Sequence, residues 1–273
     1  MNTEHSQPKA LAWVDGAVVA ARDATVPLSD EGVLRGDGVF ETLLVRNGLI
    51  HAFGQHHGRL LRSAHQLGLV VPDVVAPMAA LLDAYGAFDG IAKIVLLRGG
   101  TLRLMVSGPA PWPGTLNLDV QDMPWGGPLA GAKTLSYALN QFCVRQAQMN
   151  GCDDALVVHD GFVRELAHGT IVLVEDGNLV TPDPQLSQIL SSVTLDVLAS
   201  VRTVRFERVA VERLRTADEL FVLSATRLAV GVNQLRFANG DSCRFTAPGV
   251  VTQDAHAALE THVSMHAARP QLA

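Results

Sequence analysis

The sequence predicts an α+β fold divided into two domains, and three observations carry that prediction. Five turn-forming dipeptides, Asp15-Gly16, Asn47-Gly48, Asp160-Gly161, Asp176-Gly177 and Asn239-Gly240, each separate two short apolar or alternating runs. Helical periodicity lies between those runs but does not alternate regularly with them, so hairpins are expected in place of a βαβ succession. A Gly- and Pro-rich stretch without periodicity, QDMPWGGPLAGA at residues 121–132, divides the chain near its middle.

The hairpins rest on backbone sterics. Asp-Gly and Asn-Gly tolerate the positive φ angles of the type I′ turn, whose twist matches that of paired strands. ALAWV and AVVAA flank the first dipeptide, TLLVR and LIHAF the second, ALVVH and FVREL the third, TIVLVE and NLVT the fourth, and LRFA and DSCRF the fifth. A helix is expected in HHGRLLRSAHQLGL after Gly54, where Leu60, Leu61, Ala64 and Leu67 fall at helical spacing and Gly68 can end it. VAPMAALLDAYG, residues 75–86, predicts another. KTLSYALNQFCVRQAQMNG predicts a third, with Leu135, Ala138, Leu139 and Phe142 on one face and a stop at Gly151. Residues 186–200 and 251–268 predict two more. The expected domains are 1–121 and 133–273, joined by a linker at 122–132, with a ligand cleft between them.

A chain of 273 residues can bury one large core or two of about 130 residues each. The net charge of −6 and a scattered 21 Lys+Arg argue against nucleic-acid binding, which needs a concentrated basic surface. Three cysteines without a CxxC pair read as reduced thiols. The polar start MNTEHSQPKA lacks an apolar signal region, and no window is apolar enough to span a membrane. A soluble cytoplasmic protein is the expectation.

Several motifs can be set aside. Gly36-Asp37-Gly38 lacks the third glycine of a dinucleotide loop, and a strand follows it. His262 and His266 stand four apart but lack a third ligand or a HExxH context, so no metal is expected. His56 and His57 read as part of a helix start. No G-x-S-x-G elbow marks a serine hydrolase.

Three segments together resemble the class IV (fold type IV) pyridoxal-phosphate enzymes, which include aminodeoxychorismate lyase, branched-chain aminotransferase and D-amino acid aminotransferase. They are SDEGVLRGDGVFETLLVRNG with the following HHGRLLRSAHQLGL; AKTLSYALNQFCVRQAQMNGCDDALVVHDGFVREL; and the run from GNLVTP through ILSSVTLDVL to DELFVLSATRLAVGV. They span nearly the whole chain in the family's order. The resemblance implies a smaller N-terminal α/β sandwich, a larger C-terminal pseudo-barrel, pyridoxal 5′-phosphate (PLP) as cofactor, a small-molecule amine as substrate and a homodimer.

It also implies roles for particular residues. Only three lysines exist, Lys9, Lys93 and Lys133, and Lys133 falls where the family's cofactor-bearing lysine stands. Glu165 matches the glutamate that keeps the cofactor's ring nitrogen protonated. Arg59 matches the phosphate arginine, Val193 and Thr194 a phosphate turn at a helix start, and Ser224, Ala225 and Thr226 a second one. Some positions depart from the pattern. Thr170 stands where asparagine is frequent, Leu190-Ser191-Ser192 replaces Leu-Pro-Gly, and Met105 falls where a D-amino acid aminotransferase would carry the histidine of an Arg-x-His carboxylate trap. GDGVFETLLV looks most like the lyase branch, a branch tied to folate biosynthesis, with Phe40 and Thr42 on one strand face as pocket candidates. Tyr137 resembles a tyrosine of the branched-chain transaminases, the alternative reading. A non-catalytic relative is the third.

Overall fold

In the computed structural model, residues 9–109 and 113–271 are described; the N-terminal segment judged for a signal lies mostly outside them. The chain forms two compact units. Among the described residues, the first comprises 9–109, 133–135 and 266–271, and the second 113–132 and 136–265.

The first unit is built on strands β1 (Ala10–Val14), β2 (Ala17–Ala20), β3 (Gly38–Arg46), β4 (Leu49–Ile50), β5 (Gly90–Leu97) and β6 (Leu102–Ser107). They pair antiparallel in the order β2-β1-β6-β5-β3-β4. Helices α1 (Glu31–Arg35), α2 (Phe53–Gln66) and α3 (Val75–Tyr85) accompany the sheet. Val39, Leu43, Ile94 and Leu104 pack in one core with Leu60 and Ala64 of α2 and Met78, Leu81 and Leu82 of α3. Alternation along the strands leaves Phe40, Thr42, Ile91, Lys93, Val95 and Met105 on the opposite face.

The second unit contains β7 (Leu116–Asp122), β8 (Asp154–His159), β9 (Phe162–Leu166), β10 (Thr170–Glu175), β11 (Asn178–Pro182), β12 (Val204–Glu207), β13 (Glu219–Ser224), β14 (Leu228–Phe237) and β15 (Ser242–Arg244). They form one curled sheet in the order β12-β11-β10-β13-β14-β7-β8-β9, with β15 on β14. The pairs β11–β12, β14–β7 and β7–β8 are parallel and the rest antiparallel. Leu156 and Val158 of β8 join Leu118, Ile171 and Val222 in the core, while Ala155 and Val157 pack against Cys143, Val144 and Ala147 of α4 (Ala138–Met149). A strand buried on both faces reads as an uninterrupted apolar run. Helices α5 (Pro184–Ser187), α6 (Val193–Val201) and α7 (Val250–His266) complete the unit. No helix among the described residues is long and apolar enough to cross a membrane.

The first four turn dipeptides close two-residue hairpins, with both central residues at positive φ. The fifth hairpin forms with a longer loop. Arg236 pairs with Ser242, the Gly240 N–H donates to the Phe237 carbonyl, and of the dipeptide only Gly240 has positive φ.

Two helix expectations need correction. Lys133–Tyr137 is not helical, because its backbone pairs with β3 instead, through a Val39–Thr134 bridge and a bond from the Leu135 N–H to the Gly38 carbonyl. The anticipated apolar face of α4 is also wrong: Leu139 and Phe142 are each 46% exposed, and Cys143, Val144 and Ala147 face inward. The stretch 186–200 is likewise broken. α5 ends at Ser187, Gln188 takes φ +52, and α6 starts only at Val193.

Candidate active site

In the first unit the site residues are set by β3 and α2. Gly36 ends α1 in the left-handed region, and Asp37 accepts two bonds from Arg98, Nε at 2.7 Å and Nη2 at 2.9 Å. Gly38 admits no side chain: a Cβ there would lie 2.5 Å from the Leu96 carbonyl oxygen and 2.7 Å from Leu135 Cδ1. That closeness lets the Lys133–Leu135 segment lie along the start of β3. The Lys133 N–H donates to Ser63 Oγ at 3.0 Å, and its carbonyl accepts from the Phe40 N–H at 3.1 Å. With its backbone held on both sides, Lys133 places Nζ 4.4 Å from the centre of the Phe40 ring.

His56, Arg59 and Ser63 recur at helical spacing on α2, and all three are buried. Polar groups on a buried stripe need partners. Ser63 Oγ takes the Lys133 N–H, and the partner of His56 and Arg59 is Glu41, 0% exposed, at a core-facing position of β3 between Val39 and Leu43. Arg59 Nε donates to Glu41 Oε1 and Nη2 to Oε2, both at 2.8 Å, and His56 Nδ1 lies 2.7 Å from Oε2. Burial works to raise the Glu41 pKa, but the Arg59 and His56 hydrogen bonds and the Arg59 charge outweigh it and bring it down to about 2. Burial pulls the His56 pKa below its usual value; Glu41 opposes this, while the Arg59 and Lys133 charges add to it. The group is therefore an ionised carboxylate, a guanidinium and a neutral imidazole that donates from Nδ1. Glu41 and His56 were missed as site residues in the sequence. Their signal was there: a carboxylate inside an apolar strand, and a histidine one turn before Arg59.

On the opposite face of the sheet, Thr42 pairs across the strand with Lys93, and Lys93 with Met105. Arg103 on that face holds Asp15 bidentately, Nη1 to Oδ1 at 2.9 Å and Nη2 to Oδ2 at 3.0 Å, and donates Nε to the Thr25 carbonyl.

In the second unit Glu165 projects from β9. Its Oε1 accepts from Trp125 Nε1 at 2.9 Å and its Oε2 from the Leu190 N–H at 3.4 Å. Leu190 precedes Ser191 and Ser192, and Ser192 caps α6 by accepting the Leu195 N–H. Val193 and Thr194 open that helix, where the first N–H groups have no intrahelical acceptor and suit an anion. Ser224 closes β13, and Ala225 and Thr226 form the turn to β14; Arg227 Nε donates to Ser224 Oγ at 3.1 Å. Thr170 starts β10 and is buried. Tyr137 precedes α4, its ring 6.2 Å from that of His168. Lys133, Phe40, Thr42 and Arg59 thus belong to the first unit, and Glu165, Val193, Thr194, Ser224, Ala225, Thr226 and Tyr137 to the second.

The model of the class IV aminotransferases matches residues 38–235. The chain belongs to that family, whose members are PLP-dependent enzymes, and its fold is fold type IV. Among its relatives is the bifunctional aminodeoxychorismate lyase / D-amino acid transaminase of Mycobacterium tuberculosis, 32% identical, with 82% of this chain and 91% of the relative covered. A putative branched-chain-amino-acid aminotransferase of Methanocaldococcus jannaschii is 29% identical over 82% of this chain and 87% of its own. A solved structure of a hypothetical aminotransferase from Mycobacterium tuberculosis in its PLP-bound form superposes with a TM-score of 0.81 at 27% identity, covering 93% of this chain and 99% of that one.

Proposed function

We propose that this enzyme is a PLP-dependent lyase that converts 4-amino-4-deoxychorismate to 4-aminobenzoate and pyruvate. The observation that carries the reading is the 32% identity to a relative whose name includes that activity. Met105, and an Arg103 whose guanidinium is committed to Asp15 and the Thr25 carbonyl, weigh against the D-amino acid half of that name. Amino-acid transamination, branched-chain above all, is the second reading, supported by the archaeal relative and by Tyr137.

The donor set fits the cofactor: a lysine with a fixed backbone, a carboxylate oriented by neutral donors, a buried arginine and a helix start with amides to give. In this reading Lys133 carries PLP, Glu165 keeps its ring nitrogen protonated, and Arg59, Val193, Thr194, Ser224, Ala225 and Thr226 serve the phosphate. Bound PLP supplies the electron sink that makes the substrate's α-proton acidic. A carboxylate ~4 Å from the ring nitrogen at an effective dielectric of ~20 contributes roughly 4 kcal/mol before desolvation. Once the substrate amine has displaced it from the cofactor, the Lys133 amine would take the α-proton as general base. In the lyase, pyruvate then leaves and the substrate ring becomes aromatic. In a transaminase, the Lys133 amine would instead deliver that proton back, and the organic product would be the keto acid. Phe40 and Thr42 line the substrate side.

The deciding experiment offers aminodeoxychorismate, L-amino acids and D-amino acids separately to the purified protein. Release of 4-aminobenzoate without accumulating pyridoxamine phosphate supports the lyase; pyridoxamine phosphate formed from L-leucine, with no 4-aminobenzoate, replaces it with the transaminase. We also propose a homodimer that buries the face bearing Phe40, Ile91, Val95 and Met105, since C2 pairing is the commonest way to cover such a surface. Light scattering at micromolar concentration tests it: a mass near 29.1 kDa with full activity rules the dimer out.

A further inference from the structure

Arg164 immediately precedes Glu165 on β9, where the register against β8 shifts between the Val158–Val163 and Leu156–Leu166 pairs. Arg164 is only 6% exposed, yet no carboxylate among the described residues lies within ion-pairing distance of it. Burial lowers its pKa, the Arg208 charge adds to that effect and Asp160 opposes it. A buried cation without a counter-charge is costly, and hydrogen bonds are what can retain it.

Those bonds go to main-chain carbonyls. Nη1 donates to Ser187 O at 2.8 Å and Nη2 to His159 O at 3.4 Å, while Nε and Ser187 Oγ are buried without partners among the described residues. Ser187 ends α5. The chain then turns through Gln188 at φ +52, with the Ile189 N–H bonded back to the Pro184 carbonyl. It reaches Leu190, whose N–H donates to Glu165. Consecutive residues of β9, an edge strand of the sheet, therefore grip the two ends of one four-residue segment. The same segment runs directly into Ser191, Ser192 and the start of α6.

We propose that Arg164 is a positioning residue: by tethering Ser187 it fixes the Leu190 N–H on Glu165 and sets the start of α6 relative to that carboxylate. Arg164 touches no reacting atom. It acts through Glu165, so the proposal rests on the role assigned to Glu165 above.

The test compares Arg164→Met, Arg164→Lys and Glu165→Gln. Two quantities are read: the affinity of apo-protein for PLP, and the pH midpoint of the bound cofactor's visible absorption. Losing a hydrogen bond made by a charged group should weaken PLP binding about tenfold in Arg164→Met. It should also move the pH midpoint in the same direction as Glu165→Gln does. Arg164→Lys, which keeps a donor for Ser187 O, should stay within about threefold of wild type. Should Arg164→Met fail to fold, Arg164→Gln repeats the measurement, because it removes the charge and is too short to reach Ser187. A Met or Gln variant with unchanged affinity and midpoint, beside a Glu165→Gln whose midpoint moves, overturns the Arg164 proposal alone. A Glu165→Gln with no effect on the midpoint overturns the role of Glu165, and the Arg164 proposal with it.

Discussion

Glu41 and Glu165 are the same residue treated in two different ways by the two units. Glu41 is fully enclosed, accepts the Arg59 fork and His56, and has its charge neutralised on the spot. Glu165 receives Trp125 Nε1 and the Leu190 N–H, donors that orient a carboxylate without cancelling its charge. A charge neutralised by a neighbour holds structure together. In the proposed function, the carboxylate that Trp125 and Leu190 orient meets the protonated ring nitrogen of the cofactor. The first arrangement suits positioning and the second suits chemistry.

Substitutions can break that contrast. The largest effect is expected from Lys133→Ala, which should abolish turnover with every substrate and remove the visible absorption of bound cofactor, with the circular dichroism of the fold retained. More than trace activity with a normal spectrum refutes the role of Lys133. Glu41→Gln strands the Arg59 charge in the interior and should cost roughly 3–5 kcal/mol of stability, read as a lower urea midpoint of apo-protein. If it unfolds like wild type, the Glu41–Arg59 pair is not what holds β3 to α2. Glu165→Gln should do the reverse. Stability should change little, while steady-state turnover falls about 10²-fold or more, since a pair worth roughly 4 kcal/mol is lost. Near-native turnover would make Glu165 an ordinary surface carboxylate.

Smaller effects sharpen the contrast. The pKa values of both Glu41 and His56 are depressed in the folded state, so both favour folding at higher pH. The His56 contribution is complete above about 6.5 and declines below it; that of Glu41 is complete above about 4.5 and is lost as the pH falls toward about 2. Denaturant midpoints of wild type and Glu41→Gln between pH 7 and 3 should converge as the solution is acidified. Parallel curves would dissociate these groups from stability. The smallest change is expected from Ser187→Ala. It deletes a buried hydroxyl that has no partner among the described residues and leaves the carbonyl that Arg164 holds. Stability should be unchanged or higher by about 1 kcal/mol, with PLP affinity as in wild type. A clear loss of either would mean that the hydroxyl is bonded when cofactor is present.

The sequence by itself determined the elements whose cause is local. Asp15-Gly16, Asn47-Gly48, Asp160-Gly161 and Asp176-Gly177 fix their hairpins because left-handed φ is tolerated there and few other residues accept it. The helix at Phe53–Gln66 followed from periodicity and from Gly68 beyond its end, and the one at Val75–Tyr85 was read from the run VAPMAALLDAYG. The family followed from motif order; the roles proposed for Lys133, Glu165 and Arg59 rest on the same resemblance. Tertiary structure alone decided what depends on partners distant in the chain. Lys133 is not helical because residues far away in the chain, Phe40 of β3 and Ser63 of α2, take up its backbone hydrogen bonds. Leu139 and Phe142 turn outward because α4 docks on β8 through the smaller Cys143 and Ala147, a choice that periodicity cannot make when both faces of the helix carry apolar residues. The pairing of Arg59 with Glu41, and the tether from Arg164 to Ser187, likewise depend on elements that meet only in the folded chain. Local sterics act over a few residues and can be read in order; long-range pairing chooses among alternatives the local sequence leaves equal.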